Sequence, residues 1–158
     1  MVLYTFPMIT QQIRSEIAVA MKARDTIRLN TLRGAVTAFT NELVSKGRKP
    51  TEELNDADAI IVLKRLAKQR KDSIEQFEKG GRDDLVAKET AELKIIEAYL
   101  PVGPSRADIE RVAKLKIVEL SVTDMSGIGK LTGAIMKEFA GTADGNEVKD
   151  IVAELFKA

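Results

Sequence analysis

The chain has 158 residues, enough for one ordinary domain or two small ones, and its formal net charge is only +1. It contains no cysteine and no histidine, which excludes disulfides, thiol nucleophiles, histidine-dependent triads and the common zinc sites. Catalysis would have to rest on carboxylates, lysine, tyrosine or hydroxyls, so we expect no self-sufficient enzyme, no catalytic residue, no cofactor and no metal. Because the charge is near zero, binding to a nucleic acid would have to come from a local basic patch.

The sequence also predicts no membrane segment. No apolar run approaches the ~20 residues that a helix needs to cross a bilayer. Residues 1–10 contain neither Lys nor Arg, no long apolar stretch and no small-residue cleavage site, which argues against a secretory signal. The absence of cysteine is compatible with a reducing compartment. We therefore predict a cytoplasmic protein with no membrane partner.

Helical periodicity governs the first hundred residues, where apolar side chains recur at spacings of three and four and never in sustained alternation. Four helices are predicted: about residues 10–23, one after Asp25, one after Asn55, and about residues 83–99. Gly80-Gly81 is a typical stop for the third of these. We predict a bundle of long helices over residues 1–100.

Three shorter helices are predicted after Pro101. Ser105-x-x-Asp108 is typical of a capping box and would open a helix that runs through about residue 120. The next helix would begin near Ser126 and end near residue 140, and the last would follow Asn146. We predict a compact three-helix unit over residues 104–158, so the fold class is all-α in two parts.

The densest basic segment lies on the predicted third helix. Lys64, Lys68 and Lys71 share one helix face there, with Arg65 and Arg70 between them and no acidic residue in the segment. This face could form a ridge that contacts phosphates, since Lys and Arg supply most sequence-independent affinity for nucleic acids. The alternative is a solvated face neutralised by acidic neighbours, which is the usual fate of a helical charge run.

Arg70 occupies the apolar stripe of its helix, and Glu89 and Glu92 lie on or beside the apolar stripe of the next one. A structural ion pair between the two helices accounts for all three positions, and such a pair is costly to break because it strands a buried charge. The alternative is a carboxylate pair for acid–base or metal chemistry. Without histidine or a third acidic cluster, we favour the structural ion pair.

The segment over residues 126–137, SGIGKLTGAIMK, is neither a P-loop nor a dinucleotide fingerprint. Leu131 stands where a P-loop needs Ser or Thr, and no strand precedes the segment. It places a glycine-bearing helix N-terminus beside Lys130, which is a fair anion site. Gly129 and Gly133, one turn apart, would also allow close helix packing, and the two interpretations are compatible.

Several short stretches of the chain form an ordered set. They are residues 20–25 with Leu32-Arg33, residues 68–73 leading to Phe77, residues 82–85, Glu89, Glu92, residues 99–101, residues 129–133 with Met136-Lys137, and residues 143–145. No single stretch is specific, but together they span about residues 9 to 157. In this order the set resembles the YqeY-like family, which is similar to the C-terminal tail of one component of the glutamine-dependent aspartyl/glutamyl-tRNA amidotransferase.

The resemblance implies an association with amide transfer onto tRNA, since the related tail of the amidotransferase is similar to a tRNA-holding appendage. Lys130, Gly133 and Lys137 match the motif shared with that tail and carry over as candidate RNA contacts. Other parts of the amidotransferase release ammonia and activate the acyl-tRNA. Nothing in this chain resembles the machinery of those parts.

Three functions follow, in order of preference. The first is binding of tRNA or structured RNA through Lys130, Lys137 and the N-terminus of the sixth helix, assisted by Lys64, Lys68 and Lys71, and alongside a protein partner in tRNA amidation. The second is a protein-interaction or scaffold role, in which a groove between the two parts receives a partner helix. The third is an enzyme that uses Glu89 or Glu92 within a complex.

Overall fold

The computed structural model describes residues 7–157, and every regular element in that range is helical. The all-helical prediction is therefore confirmed for these residues, which form seven α-helices and no strand. In chain order the helices are α1 (Ile9–Lys22), α2 (Thr26–Ser45), α3 (Asp56–Lys79), α4 (Asp83–Glu97), α5 (Arg106–Glu119), α6 (Ile128–Glu138) and α7 (Gly145–Lys157). A short 3-10 turn, Met125–Gly127, directly precedes α6.

Side-chain caps start three of the helices where the sequence predicts them. Asp25 before α2 and Asn55 before α3 each accept a hydrogen bond from the backbone N–H three residues later, at 3.0 and 2.8 Å. At the start of α5, Ser105 and Asp108 form the reciprocal capping box. These bonds satisfy backbone donors that a helix leaves unpaired in its first turn.

Two helices begin at positions slightly different from the predicted ones. The helix α7 begins at Gly145 rather than after Asn146, because the Asp144 carboxylate accepts hydrogen bonds from the backbone N–H groups of Asn146 and Glu147 at 2.8 and 3.1 Å. The helix α6 begins at Ile128, two residues after the predicted start, since the intervening residues form the 3-10 turn.

The chain divides into two units, Met1–Leu100 and Pro101–Ala158. In the first unit α1 pairs with α2, α3 pairs with α4, and α2 also contacts α3 and α4. Its core is a single apolar cluster drawn from these helices and from the loop before α3. The largest fully buried side chains of this core are Ile13, Leu32, Leu43, Leu54, Val62 and Leu63.

The second unit has its own apolar core. Its helices α5, α6 and α7 contact one another pairwise, and each contributes fully buried aliphatic side chains. These side chains are Ile109 from α5, Leu131 and Ile135 from α6, and Val148, Ile151 and Val152 from α7. Because Leu131 and Ile135 point into this core, the opposite face of α6 is left to solvent.

None of the helices among residues 7–157 is both long and apolar enough to cross a membrane. The expectation that the chain starts without a secretory signal concerns residues 1–10, of which residues 1–6 lie outside the described part.

Candidate functional site

One face of α6 gathers the predicted contact residues of the second unit. Gly129, Lys130, Gly133 and Lys137 are all exposed, and their spacings of three and four residues place them along one side of the helix. Lys130 and Lys137 are seven residues apart, which is about 10 Å along the axis of an α-helix. We call these four residues the α6 face.

The two glycines of the α6 face are not required by the fold of the described residues. A Cβ built at Gly129 or at Gly133 would meet no atom within 4 Å, so no other backbone packs closely against either position. Glycine inside a helix nevertheless destabilises it by about 1 kcal/mol relative to alanine. The close packing that the sequence allowed is therefore absent here, and the bare backbone faces solvent.

The two lysines of the α6 face carry unneutralised charge. Among the described residues, no carboxylate lies within 4.0 Å of either Lys130 or Lys137. The nearest acidic neighbour in sequence, Glu138, is instead directed to Lys116, with 3.5 Å between Lys116 Nζ and Glu138 Oε2. A positive face without acidic partners attracts anions, and a lysine in solvent can reach a phosphate without first breaking an ion pair.

A carboxylate, that of Asp124, caps the 3-10 turn that precedes the N-terminus of α6. Asp124 accepts hydrogen bonds from the Ser126 backbone N–H at 2.8 Å and from the Ser126 hydroxyl at 2.5 Å. Both hydrogen bonds lower the pKa of Asp124 below its ordinary value, and the one from the Ser126 hydroxyl has the larger effect. The N–H of Ile128 donates to the carbonyl of Met125 in the same turn. Anion binding at this site would therefore depend on the lysines more than on the helix N-terminus.

The basic segment of α3 is largely paired with acidic residues in the first unit. The Nζ atom of Lys71 lies 3.6 Å from Glu97 Oε1, and Arg65 lies 3.2 Å from Glu42. Lys64 is half-buried and engaged with a neighbouring group. Lys68 is exposed and has no carboxylate within 4.0 Å in the described part of the chain. The three lysines therefore do not form a uniformly available ridge.

Arg70 joins α3 to α4 through both predicted carboxylates. Its Nη1 lies 3.2 Å from Glu89 Oε2 and its Nη2 lies 3.1 Å from Glu92 Oε2. The Glu89 and Glu92 side chains are only 13% and 10% exposed, so both negative charges depend on Arg70 for compensation. The Nε atom of Arg70 is buried and makes no hydrogen bond within the described residues.

The cluster of Arg70, Glu89 and Glu92 is better suited to joining two helices than to catalysing a reaction. Both carboxylates are directed to a guanidinium, which cannot release a proton near neutral pH. Within residues 7–157 no group of three or more acidic side chains is placed to hold a metal ion. The residues that could have formed an acid–base pair therefore act together to connect two helices.

Sequence reasoning missed a second polar cluster, which links α1, α2 and the turn after α4. The hydroxyl of Tyr99 donates to Glu16 Oε2 at 2.5 Å, and Arg28 forms an ion pair with the same carboxylate. Burial, followed by the hydrogen bond to Glu16, raises the pKa of Tyr99 above its ordinary range. The hydrogen bond from Tyr99 is the largest factor that lowers the pKa of Glu16. No spacing rule could find this cluster, because Glu16 and Tyr99 are 83 residues apart.

Comparison with known proteins places this geometry in context. A family model described as "Yqey-like protein" matches residues 10–156. Among curated relatives, the "Altered inheritance of mitochondria protein 41, mitochondrial" of Kluyveromyces lactis is 38% identical over 101 residues, covering 62% of this chain and 52% of that protein. The Lachancea thermotolerans protein of the same name is 35% identical, covering 65% and 54%. The Saccharomyces cerevisiae YJM789 protein is 29% identical, covering 84% and 68%.

These relatives bear on location and on length. The cytoplasmic location predicted from the sequence is wrong by this comparison, because the matched relatives are named mitochondrial proteins. That prediction rested on missing cysteines and a missing secretory signal, and neither feature distinguishes one reducing compartment from another. The chain spans about half the length of the first two relatives, at 52% and 54%.

Proposed function

This chain belongs to the YqeY-like family, and from that premise we propose that it is a helical module that binds tRNA or another structured RNA. The observation that carries the proposal is the α6 face, where two lysines without acidic partners in the described chain lie beside two glycines whose Cβ positions are open to solvent. Phosphate contacts by lysine supply sequence-independent affinity for nucleic acids.

The α6 face suits a backbone better than exposed bases. Lys130 and Lys137, about 10 Å apart along the helix, would contact phosphates, and Gly133 between them would let a ribose–phosphate strand approach the helix closely. Duplex RNA is recognised mainly by its shape and by its phosphates and 2′-hydroxyls, so this mode needs neither aromatic side chains nor a high net charge. A chain with 4% aromatic residues and a net charge of +1 is therefore compatible with binding to duplex RNA.

We extend the proposal to the two parts of the chain. Residues 104–158 would be the RNA-binding unit, and residues 1–100 a bundle of long helices tied internally by Arg70, Glu89 and Glu92. Association with glutamine-dependent tRNA amidation, beside a protein partner that carries the active site, follows from the resemblance to the amidotransferase tail. Lys68 is the member of the α3 segment best placed to assist, since Lys71 is paired with Glu97.

The test is binding of the purified chain to total tRNA across a series of salt concentrations. For wild type we expect log affinity to fall linearly with log salt, with a slope set by the number of phosphate contacts. The variant Lys130→Ala/Lys137→Ala should bind more weakly, with a slope reduced by about 2. The matched control is Lys149→Ala/Lys157→Ala, which removes two exposed lysines from α7 in the same unit.

Equal weakening in the two double variants would mean that only overall charge matters, and the α6 face would lose its assigned role. No wild-type binding above the non-specific level near physiological salt would remove the RNA proposal.

The second candidate, a protein-interaction module, is favoured by one different observation. On α5, Leu115 and Val118 lie one helical turn apart and are 59% and 78% exposed. Exposed aliphatic side chains that adjoin one another are typical of protein contact surfaces. Substitution of Leu115→Ser/Val118→Ser should leave tRNA binding unchanged if RNA is the ligand. Loss of a co-purifying protein in that variant, with no RNA in the preparation, would favour this second function.

A further inference from the structure

The end of the α1–α2 hairpin, residues 18–27, exposes an unusual number of apolar side chains. Val19, Met21 and Ile27 are 62%, 52% and 43% exposed, and Ala18 and Ala23 between them are exposed as well. Nine large apolar side chains are exposed in the described residues, and three of them fall within these consecutive positions. Val19 and Met21 lie in the last turn of α1 and Ile27 in the first turn of α2, so exposed apolar side chains are concentrated at this end of the hairpin, where a partner could cover them. We call residues 18–27 the hairpin tip.

The hairpin tip and its flanks are also basic. Residues 9–37 contain five basic and two acidic residues, although the whole chain has a net charge of only +1. Both acidic residues are engaged, Glu16 with Arg28 and Tyr99, and Asp25 as the cap of α2. Of the five basic residues between 9 and 37, only Arg28 is paired, and the other four have no carboxylate within 4.0 Å in the part of the chain that the structure describes. These are Arg14, Lys22, Arg24 and Arg33.

We propose that the hairpin tip docks on an anionic lipid surface, with Val19, Met21 and Ile27 inserted among the headgroups and the surrounding cations placed against lipid phosphates. This inference is independent of the RNA proposal, which concerns α6 in the other unit. The sequence predicts no membrane partner because it contains no spanning helix, but docking at the surface needs only exposed apolar and basic side chains.

The combination of side chains favours lipid over the other anionic surface, RNA. Phosphates and riboses offer no apolar partner for three exposed aliphatic side chains, whereas the lipid headgroup layer offers both apolar and anionic ones. A helix–turn–helix end is convex, so it can enter a headgroup layer without a preformed groove. Lys22 and Arg24 can extend their aliphatic stems along the apolar surface while their charges remain at phosphate level.

A substitution at Arg24 can test this proposal, because it changes the charge of the hairpin tip without destabilising the backbone. Its φ is +54°, in the left-handed region where glycine is favoured, and it ends α1 with its N–H donating to the Met21 carbonyl at 3.1 Å. Arg24→Gly therefore relieves backbone strain while removing one cation of the hairpin tip. Ala140→Gly relieves the same kind of strain at φ +49° and removes no charge, so it is the matched control.

The experiment is co-sedimentation of the full chain with vesicles of phosphatidylcholine alone and of equal parts phosphatidylcholine and phosphatidylglycerol. We expect wild type to bind the anionic vesicles and not the neutral ones. Val19→Ser/Met21→Gln/Ile27→Gln should lower binding roughly tenfold or more. Arg24→Gly should lower it by a smaller factor while raising Tm. The control Val44→Ser/Ile61→Gln/Val102→Ser, at exposed apolar positions elsewhere, should bind like wild type.

Several results would overturn the proposal. Equal binding to both kinds of vesicle, or to neither, would show that no anionic lipid surface is recognised and would leave a protein as the occupant. Wild-type binding by the triple variant at residues 19, 21 and 27 would separate lipid binding from the hairpin tip. Loss of vesicle binding in Lys130→Ala/Lys137→Ala alone would place the lipid contact on α6. Circular dichroism of each variant checks that the helices are retained.

Discussion

Arg70 forms ion pairs with two carboxylates that have little exposure to solvent, so its removal should be among the most destabilising changes at a polar position of α3. Arg70→Leu would leave Glu89 and Glu92 without a counter-ion at 13% and 10% exposure. We expect the free energy of unfolding, measured by urea denaturation, to fall by about 3 kcal/mol. The control Arg82→Ala, which breaks an exposed pair with Asp84, should have little effect.

Replacing the whole cluster separates a structural tie from a chemical role. Arg70→Leu/Glu89→Leu/Glu92→Leu should recover most of the lost stability, because an apolar cluster leaves no stranded charge. RNA binding should survive in this variant. A triple variant as unstable as Arg70→Leu would mean that packing, and not the ion pair, explains the first result.

The hydrogen bond from Tyr99 to Glu16 should make stability depend on pH. Tyr99→Phe removes the donor, and we expect a loss of about 1 kcal/mol at neutral pH, since Glu16 is partly exposed to water. The pKa of Glu16 is lowered from its ordinary 4.5 in the folded state, so this stabilisation is present above that pH and is lost as pH falls through the folded pKa. The difference in unfolding free energy between wild type and Tyr99→Phe should therefore shrink in acid. A difference that stays constant from neutral pH to below 4.5 would contradict the link to Glu16.

A substitution at an exposed glycine of α6 should change protein stability and RNA binding in opposite directions. A Cβ at Gly133 meets open space, so Gly133→Ala should raise the free energy of unfolding by about 0.5–1 kcal/mol through helix propensity alone. If RNA approaches the bare backbone there, the same substitution should weaken tRNA binding. Gly34→Ala in α2 is the matched control, since its Cβ also meets nothing within 4 Å.

The control variant should gain stability and bind tRNA like wild type, as measured by thermal unfolding and by the salt-series titration. If Gly133→Ala gains stability without any loss of binding, the RNA backbone does not approach α6 at that position.

The helix boundaries show how far the start of a helix can be predicted from the residues around it. Ser105 and Asp108 predict the start of α5 because the capping box is complete within four consecutive residues. The sequence places the start of α7 slightly late, since the cap is Asp144 rather than a residue at the glycine–asparagine pair that follows it. It does not predict the 3-10 turn before α6, because the hydrogen bonds of Asp124 and Ser126 fit either a cap or a turn.

Because the two units have separate apolar cores, we expect that one unit can unfold while the other stays folded. Ile135 is fully buried in the second core, and Ile135→Ala should lower the stability of that unit by about 2–5 kcal/mol. In native-state hydrogen exchange we expect faster exchange of amides in α5, α6 and α7, with α1 to α4 protected as in wild type. A uniform loss of protection across all seven helices would mean that the described residues unfold as one cooperative unit.

By itself, the sequence determined the helical class, most helix starts and the chemistry excluded by missing histidine and cysteine, because these depend on composition or on contacts within one turn. It also indicated the family, through short stretches kept in order. Only the tertiary structure decided that Glu16 meets Tyr99, that Lys71 faces Glu97 while Lys130 and Lys137 face no acid in the described chain, and that Gly133 borders open space. The reason is physical: the surroundings of each of these residues depend on parts of the chain that are distant in sequence, and they are fixed only once packing of the apolar faces has set which helices adjoin.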